Sequence, residues 1–245
     1  MKTRNFSSIC LFLLVTFQSW SQELSADMKN VIQQLQINVE NVDVDLSIDK
    51  PMRYLPEMMA MAILEKVGES DYSEEGHFTY KCHVVLYNAA DKIVTNRYIM
   101  QNLESDAIRL SGLNFDFAPY MVKANVRAFG LRIIYSGPSR VSPYEEEKIT
   151  LFVTEKDKLI PVLKDFTSYL STGDWDTNCA GEFNSKSAVF VIEPTLSNGF
   201  FDIKVNYKEI KTINKLVSGD CKGTETATKS SVKLVNVNGT YQVKK

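Results

Sequence analysis

Apolar and polar residues alternate along many segments of this chain, and this period of two constrains the fold more than any other feature. The clearest example runs from Phe200 to Lys208, where an apolar row (Phe201, Ile203, Val205, Tyr207) alternates with a polar row (Asp202, Lys204, Asn206). Successive side chains of a strand point to opposite faces of a sheet. The pattern therefore predicts a strand with one face in a core and the other in water.

Other segments repeat this signal at intervals of about 10 to 15 residues. Strands are predicted at Phe78–Val84, Ile93–Met100, Arg127–Tyr135, Ile149–Thr154, Ala188–Ile192, Val232–Val237 and Tyr241–Val243. Asn88 to Lys92 predicts a hairpin turn between the first two. Asn238-Gly239 predicts another between the last two, because this dipeptide favours a two-residue turn with positive φ.

Three segments near the N-terminus have patterns that differ from one another. Ser25–Gln36 carries apolar residues at helical spacing behind a capping serine, and it predicts a short helix. Val42–Asp49 alternates apolar residues with acids and predicts a strand that ends at Pro51. Pro56–Val67 fits a helix by propensity and a strand by alternation, and we favour the helix.

These elements predict a mainly β fold, an antiparallel sandwich-like arrangement with a short N-terminal helix. The segment Ser142–Lys148, with Pro143 and three consecutive glutamates, is the best candidate for a seam between two β subdomains. The resulting division is a signal peptide at 1–21, an N-terminal β-rich domain at 22–145 and a C-terminal β domain at 146–245.

The first 21 residues have the features of a cleavable signal peptide. Lys2 and Arg4 precede an apolar run from Ile9 to Phe17, and Ser19-Trp20-Ser21 has the small-x-small pattern of a cleavage site. The run is shorter than the roughly 20 residues of a membrane span, so no transmembrane segment is expected after cleavage. We therefore expect a soluble protein that is exported to the periplasm or the extracellular space.

Export determines how the cysteines are interpreted. Cys10 leaves with the signal, and Cys82, Cys179 and Cys221 remain. In an oxidising compartment three cysteines suggest one disulfide and one thiol. We predict the pair Cys179–Cys221, because both lie in polar, loop-like surroundings, whereas Cys82 shares an apolar strand face with Tyr80 and Val84 and should be a buried thiol. The other two pairings remain possible from sequence.

No catalytic or cofactor motif is evident, so catalytic and cofactor residues are predicted as none. The only histidines, His77 and His83, would lie about 20 Å apart on one solvent-facing side of a strand, too far apart to share a metal.

Cleavage of the signal removes two basic residues and no acidic one, which changes the formal charge from −2 to −4. A weakly acidic chain argues against a nucleic-acid partner. The acids of 43–49 and 145–147 are interpreted as solvated.

One loop invites a metal hypothesis. Asp174, Asp176 and Asn178 alternate as oxygen ligands do in calcium loops. Cys179 stands at the glycine position of that pattern, however, and Ser185 stands where the bidentate glutamate would be. A structured turn, with Trp175 packed on the core, is the favoured interpretation and the calcium site is the minority hypothesis.

Several segments resemble patterns found in uncharacterised exported bacterial proteins. They are Arg127-Ala128-Phe129-Gly130, Tyr135–Arg140, Gly173–Phe183 and Asp220-Cys221, so the resemblance extends from about Phe78 to the C-terminus. It carries no activity. We expect a non-catalytic binding or structural protein of the cell envelope, with an unknown protein or envelope ligand as partner. The alternative is a hydrolase whose carboxylates converge only in three dimensions.

Overall fold

A computed structural model describes residues 23–67 and 78–244, which form one short α-helix, a 3-10 turn and twelve β-strands. The mainly β fold with a short N-terminal helix is confirmed. The predicted signal peptide, Cys10 and His77 lie outside the described residues. Among the residues that are described, no helix has the length and apolar character to cross a membrane.

The helix α1 spans Ala26–Gln34, one to two residues shorter at each end than predicted, and Ser25 caps it by accepting the N–H of Met28. The strands, in chain order, are β1 Ile48–Pro51, β2 Met58–Lys66, β3 Phe78–Asn88, β4 Ile93–Ser105, β5 Arg109–Lys123, β6 Val126–Ser136, β7 Tyr144–Glu155, β8 Lys158–Trp175, β9 Gly181–Ser197, β10 Phe200–Val217, β11 Asp220–Val237 and β12 Thr240–Val243.

The strands form one branched sheet, nearly all of it antiparallel. One path runs β1-β2-β3-β4-β8-β9-β10-β11-β12, and β7, β6 and β5 extend from the other side of β8. Among the described strands, the one parallel contact joins Arg97 of β4 to Lys158 of β8. Consecutive strands pair as hairpins almost throughout, because short turns connect only antiparallel neighbours. The last of these hairpins turns at Asn238 and Gly239, both with positive φ, as predicted.

Three hydrophobic clusters stabilise this arrangement. The first packs β2, β3 and β4 against β5 and β6. The second joins the opposite face of β5–β8 to β9–β12. The third packs α1 on the far side of β2 and β3. Strands β2 and β3 are therefore covered on both faces, one by the helix and the other by the β5–β6 layer.

This double burial explains why the helix predicted at 56–67 is wrong. Residues 60–64 of β2 are fully buried, with Ala60, Ala62 and Leu64 in the first cluster and Met61 and Ile63 under α1. When both faces of a strand are buried, its sequence is a continuous apolar run. Such a run lacks the alternation that identifies half-buried strands.

The strand predicted at Val42–Asp49 is also wrong over most of its length. Val42 makes one isolated bridge to Glu65, and β1 begins only at Ile48. Between them Asp43 organises a turn: its side chain accepts the N–H of Leu46 and its carbonyl accepts the N–H of Ser47. Aspartate side chains compete with strand ladders by such local hydrogen bonds. Asp43 also accepts a hydrogen bond from the Tyr80 hydroxyl, so it is more than a solvated acid.

From Tyr144 onward, the segment predicted as a seam is a strand and not a loop. The glutamates 145–147 lie inside β7, which pairs with β6 on one side and β8 on the other. The position between 145 and 146, where the two subdomains were divided, therefore falls within a strand. Glu145 is exposed, whereas Glu146 and Glu147 are half-buried and form ion pairs with Lys148 and Arg132, so this acidic run belongs to a paired strand.

Candidate functional site

The β1–β2 turn and the strands β5 and β6 enclose a cleft of about 640 Å³. Its lining consists of basic and aromatic side chains with one proline: Lys50, Pro51, Arg53, Tyr54, Phe115, Phe117 and Arg127. We call it the basic-aromatic cleft. Its volume lies within the range of small-molecule sites, which combine apolar walls with a few placed polar groups.

Strand β5 supplies the aromatic wall. Phe115 and Phe117 are alternate residues of the strand, and their rings stack in parallel with centres 5.7 Å apart. Directly after them the pairing of β5 with β6 shifts register between Asp116 and Tyr120, around Pro119. Proline has no N–H for the ladder and is found at such irregularities. The Asp116 side chain accepts the N–H of Ala118 at 2.9 Å, which stabilises the bulge.

Arg127, near the start of β6, contacts both β5 and the β1–β2 turn. Its Nη2 donates to the Phe117 carbonyl at 2.5 Å, and its guanidinium carbon lies 3.7 Å from the centre of the Tyr54 ring. Tyr54 meets Phe117 edge-on at 6.3 Å. Burial raises the pKa of Tyr54, and the charge of Arg127 opposes part of that rise. The guanidinium is thus fixed between a carbonyl and an aromatic face, an orientation that lysine would not reproduce.

The cleft carries positive charge that the described chain does not neutralise. No carboxylate of residues 23–67 or 78–244 forms an ion pair with Lys50, Arg53 or Arg127. Lys50 donates instead to the amide oxygen of Asn114 at 2.5 Å. The Nε of Arg127 is buried without an acceptor among the same residues. The guanidinium itself lines the cleft, so its charge faces that space.

Two half-buried carboxylates of the neighbouring strands β5 and β7 are already paired. Asp116 of β5 and Glu147 of β7 both bind the guanidinium of Arg132, with Asp116 Oδ2 at 2.6 Å from Nη2. Burial raises the pKa of Asp116, but hydrogen bonds from the Ala118 N–H, Arg132 and Tyr120 outweigh it and leave that pKa below its ordinary value. A hydrolase acid must instead hold its proton near neutral pH. Glu147 was interpreted as solvated, and this contact to Arg132 corrects that.

His83 differs from its prediction. It was expected to face solvent, but it is only 8% exposed, and its Nε2 lies 2.9 Å from Oε2 of Glu65 on the neighbouring β2. The reason is the packing of β3 between two layers, which leaves neither of its faces open along most of its length. His77 lies outside the described residues, so the predicted spacing of the two histidines remains untested.

The loop with the minority calcium hypothesis forms a tight turn between β8 and β9. Oδ1 of Asp176 accepts the N–H groups of Asn178 and Cys179, each at 2.8 Å, and these bonds lower the pKa of Asp176. Asp174 lies on β8 opposite Glu182. The residues described contain no group of three metal-ligating His, Cys, Asp or Glu side chains. The turn interpretation accounts for Asp176, and the calcium hypothesis stays a prediction.

A disulfide fastens this turn to the neighbouring hairpin. Cys179 is bonded to Cys221, the second residue of β11, as the sequence predicted, and Cys82 is a buried free cysteine. Beside the disulfide lies a second cleft of about 490 Å³, which Trp175, Phe183 and Arg140 help to line. Trp175 thus packs at this end of the sheet, beside the disulfide.

Sequence reasoning missed every residue of the basic-aromatic cleft. Tyr54 and Arg127 come from segments far apart in the chain, and no motif joins them. Only two signals were present: the alternation of Phe115 and Phe117, which predicts a shared face, and Arg127, which begins one of the segments that resemble exported bacterial proteins.

Comparisons with known proteins assign no family to this site. No protein-family model, curated protein or solved structure matches the chain. Its function is therefore inferred from its own residues and their geometry.

Proposed function

We propose that this chain is an exported, non-catalytic binding protein of the cell envelope that holds a small anionic ligand in the basic-aromatic cleft. One observation carries the proposal: the cleft holds three basic side chains, and none of them has a carboxylate partner in the described chain. Charge-assisted hydrogen bonds from a guanidinium to a carboxylate, sulfate or phosphate would neutralise that charge.

The aromatic walls narrow the ligand class. Tyr54 and Phe117 are only partly buried and offer ring surfaces on which a flat or apolar part of a ligand could pack, whereas Phe115 is buried in the core. The ligand is therefore an anion that also carries a ring, such as an aromatic acid or an acidic sugar, rather than a bare inorganic ion. Two features support the envelope location. The N-terminus has the pattern of a signal peptide, and the disulfide is of a kind that persists in oxidising compartments.

The hydrolase alternative has less support. Its best carboxylates, Asp116 and Glu147, are joined through Arg132, and the pKa of Asp116 is lowered rather than raised. It stays a prediction that an activity screen would test.

An NMR titration of the labelled chain tests the binding proposal. Probes are chosen in matched pairs: benzoate against benzamide isolates the charge, and phenyl phosphate against inorganic phosphate isolates the ring. We expect the charged, ring-bearing member of each pair to shift signals of the β1–β2 turn, β5 and β6 at lower concentration than its partner.

Variants locate the binding. Arg127→Gln should abolish the shifts, and Arg127→Lys should weaken them, because lysine keeps the charge but loses the planar fork. Arg109→Gln is the control, since Arg109 is an exposed arginine outside the cleft. Equal shifts for benzoate and benzamide, or binding that survives Arg127→Gln, would refute the proposal.

A further inference from the structure

Strand β11 has an unusually long free edge. On one side it pairs with β10 from Asp220 to Leu234. On the other side β12 pairs only with Leu234–Val237, so residues 220–233 meet no other strand within the described chain. Residues 220–231 are all exposed. An edge of this kind offers unpaired backbone groups to another chain.

The register of the hairpins shows which backbone groups face outward. The N–H of Lys244 donates to the Lys233 carbonyl at 2.8 Å, so the peptide groups of Lys233 point away from β10. In an antiparallel ladder this direction alternates along the strand. The odd-numbered residues therefore present their N–H and C=O groups to the free side: Gly223, Glu225, Ala227, Lys229 and Ser231.

The side chains of this edge are complementary to themselves. Glu225 and Lys229 are four residues apart, so they lie on the same face of β11 on either side of Ala227. If two β11 strands pair antiparallel with Ala227 opposite Ala227, Glu225 of each copy faces Lys229 of the other. On the opposite face Thr226 then lies opposite Thr228. Opposite charges and threonine pairs both stabilise cross-strand neighbours.

Neighbouring registers lose the pairing of opposite charges, although some of them keep threonine pairs. Outward-facing backbone groups must meet outward-facing groups, which excludes any pairing of odd-numbered with even-numbered residues. Centring on Glu225 or Lys229 places like charges opposite each other. Centring on Thr226 places Glu225 opposite an alanine and Lys229 opposite a glycine. Centring on Thr228 places Glu225 opposite a serine and Lys229 opposite an alanine. Ala227 also lies next to the middle of the free edge 220–233, so this register pairs nearly the whole length of the edge.

The monomer carries a defect that this pairing would relieve. Lys229 lies directly opposite Lys208 of β10, and like charges in that position destabilise a sheet. Neither Lys208 nor Lys229 forms an ion pair with a described residue. A glutamate from a second copy would place a negative charge beside this pair.

We infer that β11 pairs antiparallel with β11 of a second copy of this chain around a twofold axis at Ala227, and so makes a symmetric dimer with one continuous sheet. Such an interface is isologous, with each contact repeated by symmetry. None of its residues lines the basic-aromatic cleft, so the dimer does not depend on ligand binding there.

Sedimentation velocity of the full chain, with its disulfide intact, tests the dimer over micromolar to millimolar concentrations. The expected mass is that of two chains. Ala227→Pro should give the mass of one chain, because proline removes an outward N–H that the monomer does not use and is tolerated on sheet edges. Ala227→Cys should form an intermolecular disulfide, whereas Glu225→Cys should not, since the two copies of residue 225 would be about 13 Å apart along the strands.

Charge exchange makes the test specific for the register. Glu225→Lys and Lys229→Glu should each be monomeric alone, form a dimer when mixed, and form a dimer again when combined in one chain. Circular dichroism and thermal unfolding check that each variant folds, and the mixing experiment decides if Ala227→Pro does not fold. A wild-type chain that remains monomeric at millimolar concentration overturns the inference, as does a dimer that persists in Glu225→Lys.

Discussion

The guanidinium of Arg127 stacks on the ring of Tyr54, with its carbon 3.7 Å from the ring centre. The contact joins the β1–β2 turn to the start of β6. Stacking leaves the edge of the guanidinium plane available for hydrogen bonds, and one of these goes to the Phe117 carbonyl. The aromatic face therefore orients the charged group that we assign to ligand binding.

Tyr54→Leu should lower the free energy of unfolding by about 1 kcal/mol through the lost stacking, whereas Tyr54→Phe should leave it nearly unchanged because the ring remains. Urea unfolding of these variants, with Arg127→Met and the double variant Tyr54→Leu/Arg127→Met, measures the coupling. If the single effects simply add in the double variant, the two side chains do not interact.

Removing Arg132 should destabilise the fold by about 3 kcal/mol, because Asp116 and Glu147 would be left half-buried and without their cation. Arg132→Ala is compared with Arg109→Ala, whose side chain is exposed and should change stability little. Similar losses for the two variants would show that the ion pairs contribute nothing beyond the side chain itself.

The same network predicts a pH dependence. The pKa of Asp116 is lower in the folded state than its unfolded value of about 3.9, so its ionisation stabilises the fold above that pH, and this contribution is lost as the pH falls through the folded pKa. Asp116→Asn should therefore be less stable than the wild type at neutral pH, and the difference should shrink towards about pH 2. Denaturant unfolding at both pH values measures it, and a difference that does not change with pH would contradict the assignment.

Breaking the disulfide should cost about 4 kcal/mol in the chain-entropy model, given the 42-residue separation of Cys179 and Cys221. The double variant Cys179→Ala/Cys221→Ala should unfold at lower denaturant concentration. Its amide hydrogens should exchange faster at the β8–β9 turn and the β10–β11 hairpin than in β3, where the chain is buried. Faster exchange in β3 alone would place the stabilisation elsewhere.

Cys82 should be inert in the folded protein. Burial raises the pKa of its thiol to about 12, and the side chain is fully enclosed. Because the thiolate is the reactive form, a thiol reagent at mildly alkaline pH should modify Cys82 only after unfolding. Rapid labelling of the native chain, detected by intact mass, would show that β3 opens or that Cys82 is not the free cysteine.

The sequence alone determined the elements whose signals are local. The strand at Phe200–Lys208, the hairpin at Asn238-Gly239 and the helix behind Ser25 follow from local patterns of residue types. The prediction of that strand stops short of its end at Val217 and is wrong for Asp202, which is buried and not in water. The pairing of Cys179 with Cys221 was also correct, since their polar surroundings distinguish them from Cys82.

Tertiary structure decided the rest. β2 lost its alternation because α1 covers the face that would otherwise be polar, and His83 is buried by the same stacking of layers. The basic-aromatic cleft exists only because strand pairing brings the β1–β2 turn beside β5 and β6. Contacts between Tyr54 and Arg127 depend on the register of a whole sheet, and no local pattern of residue types encodes that register.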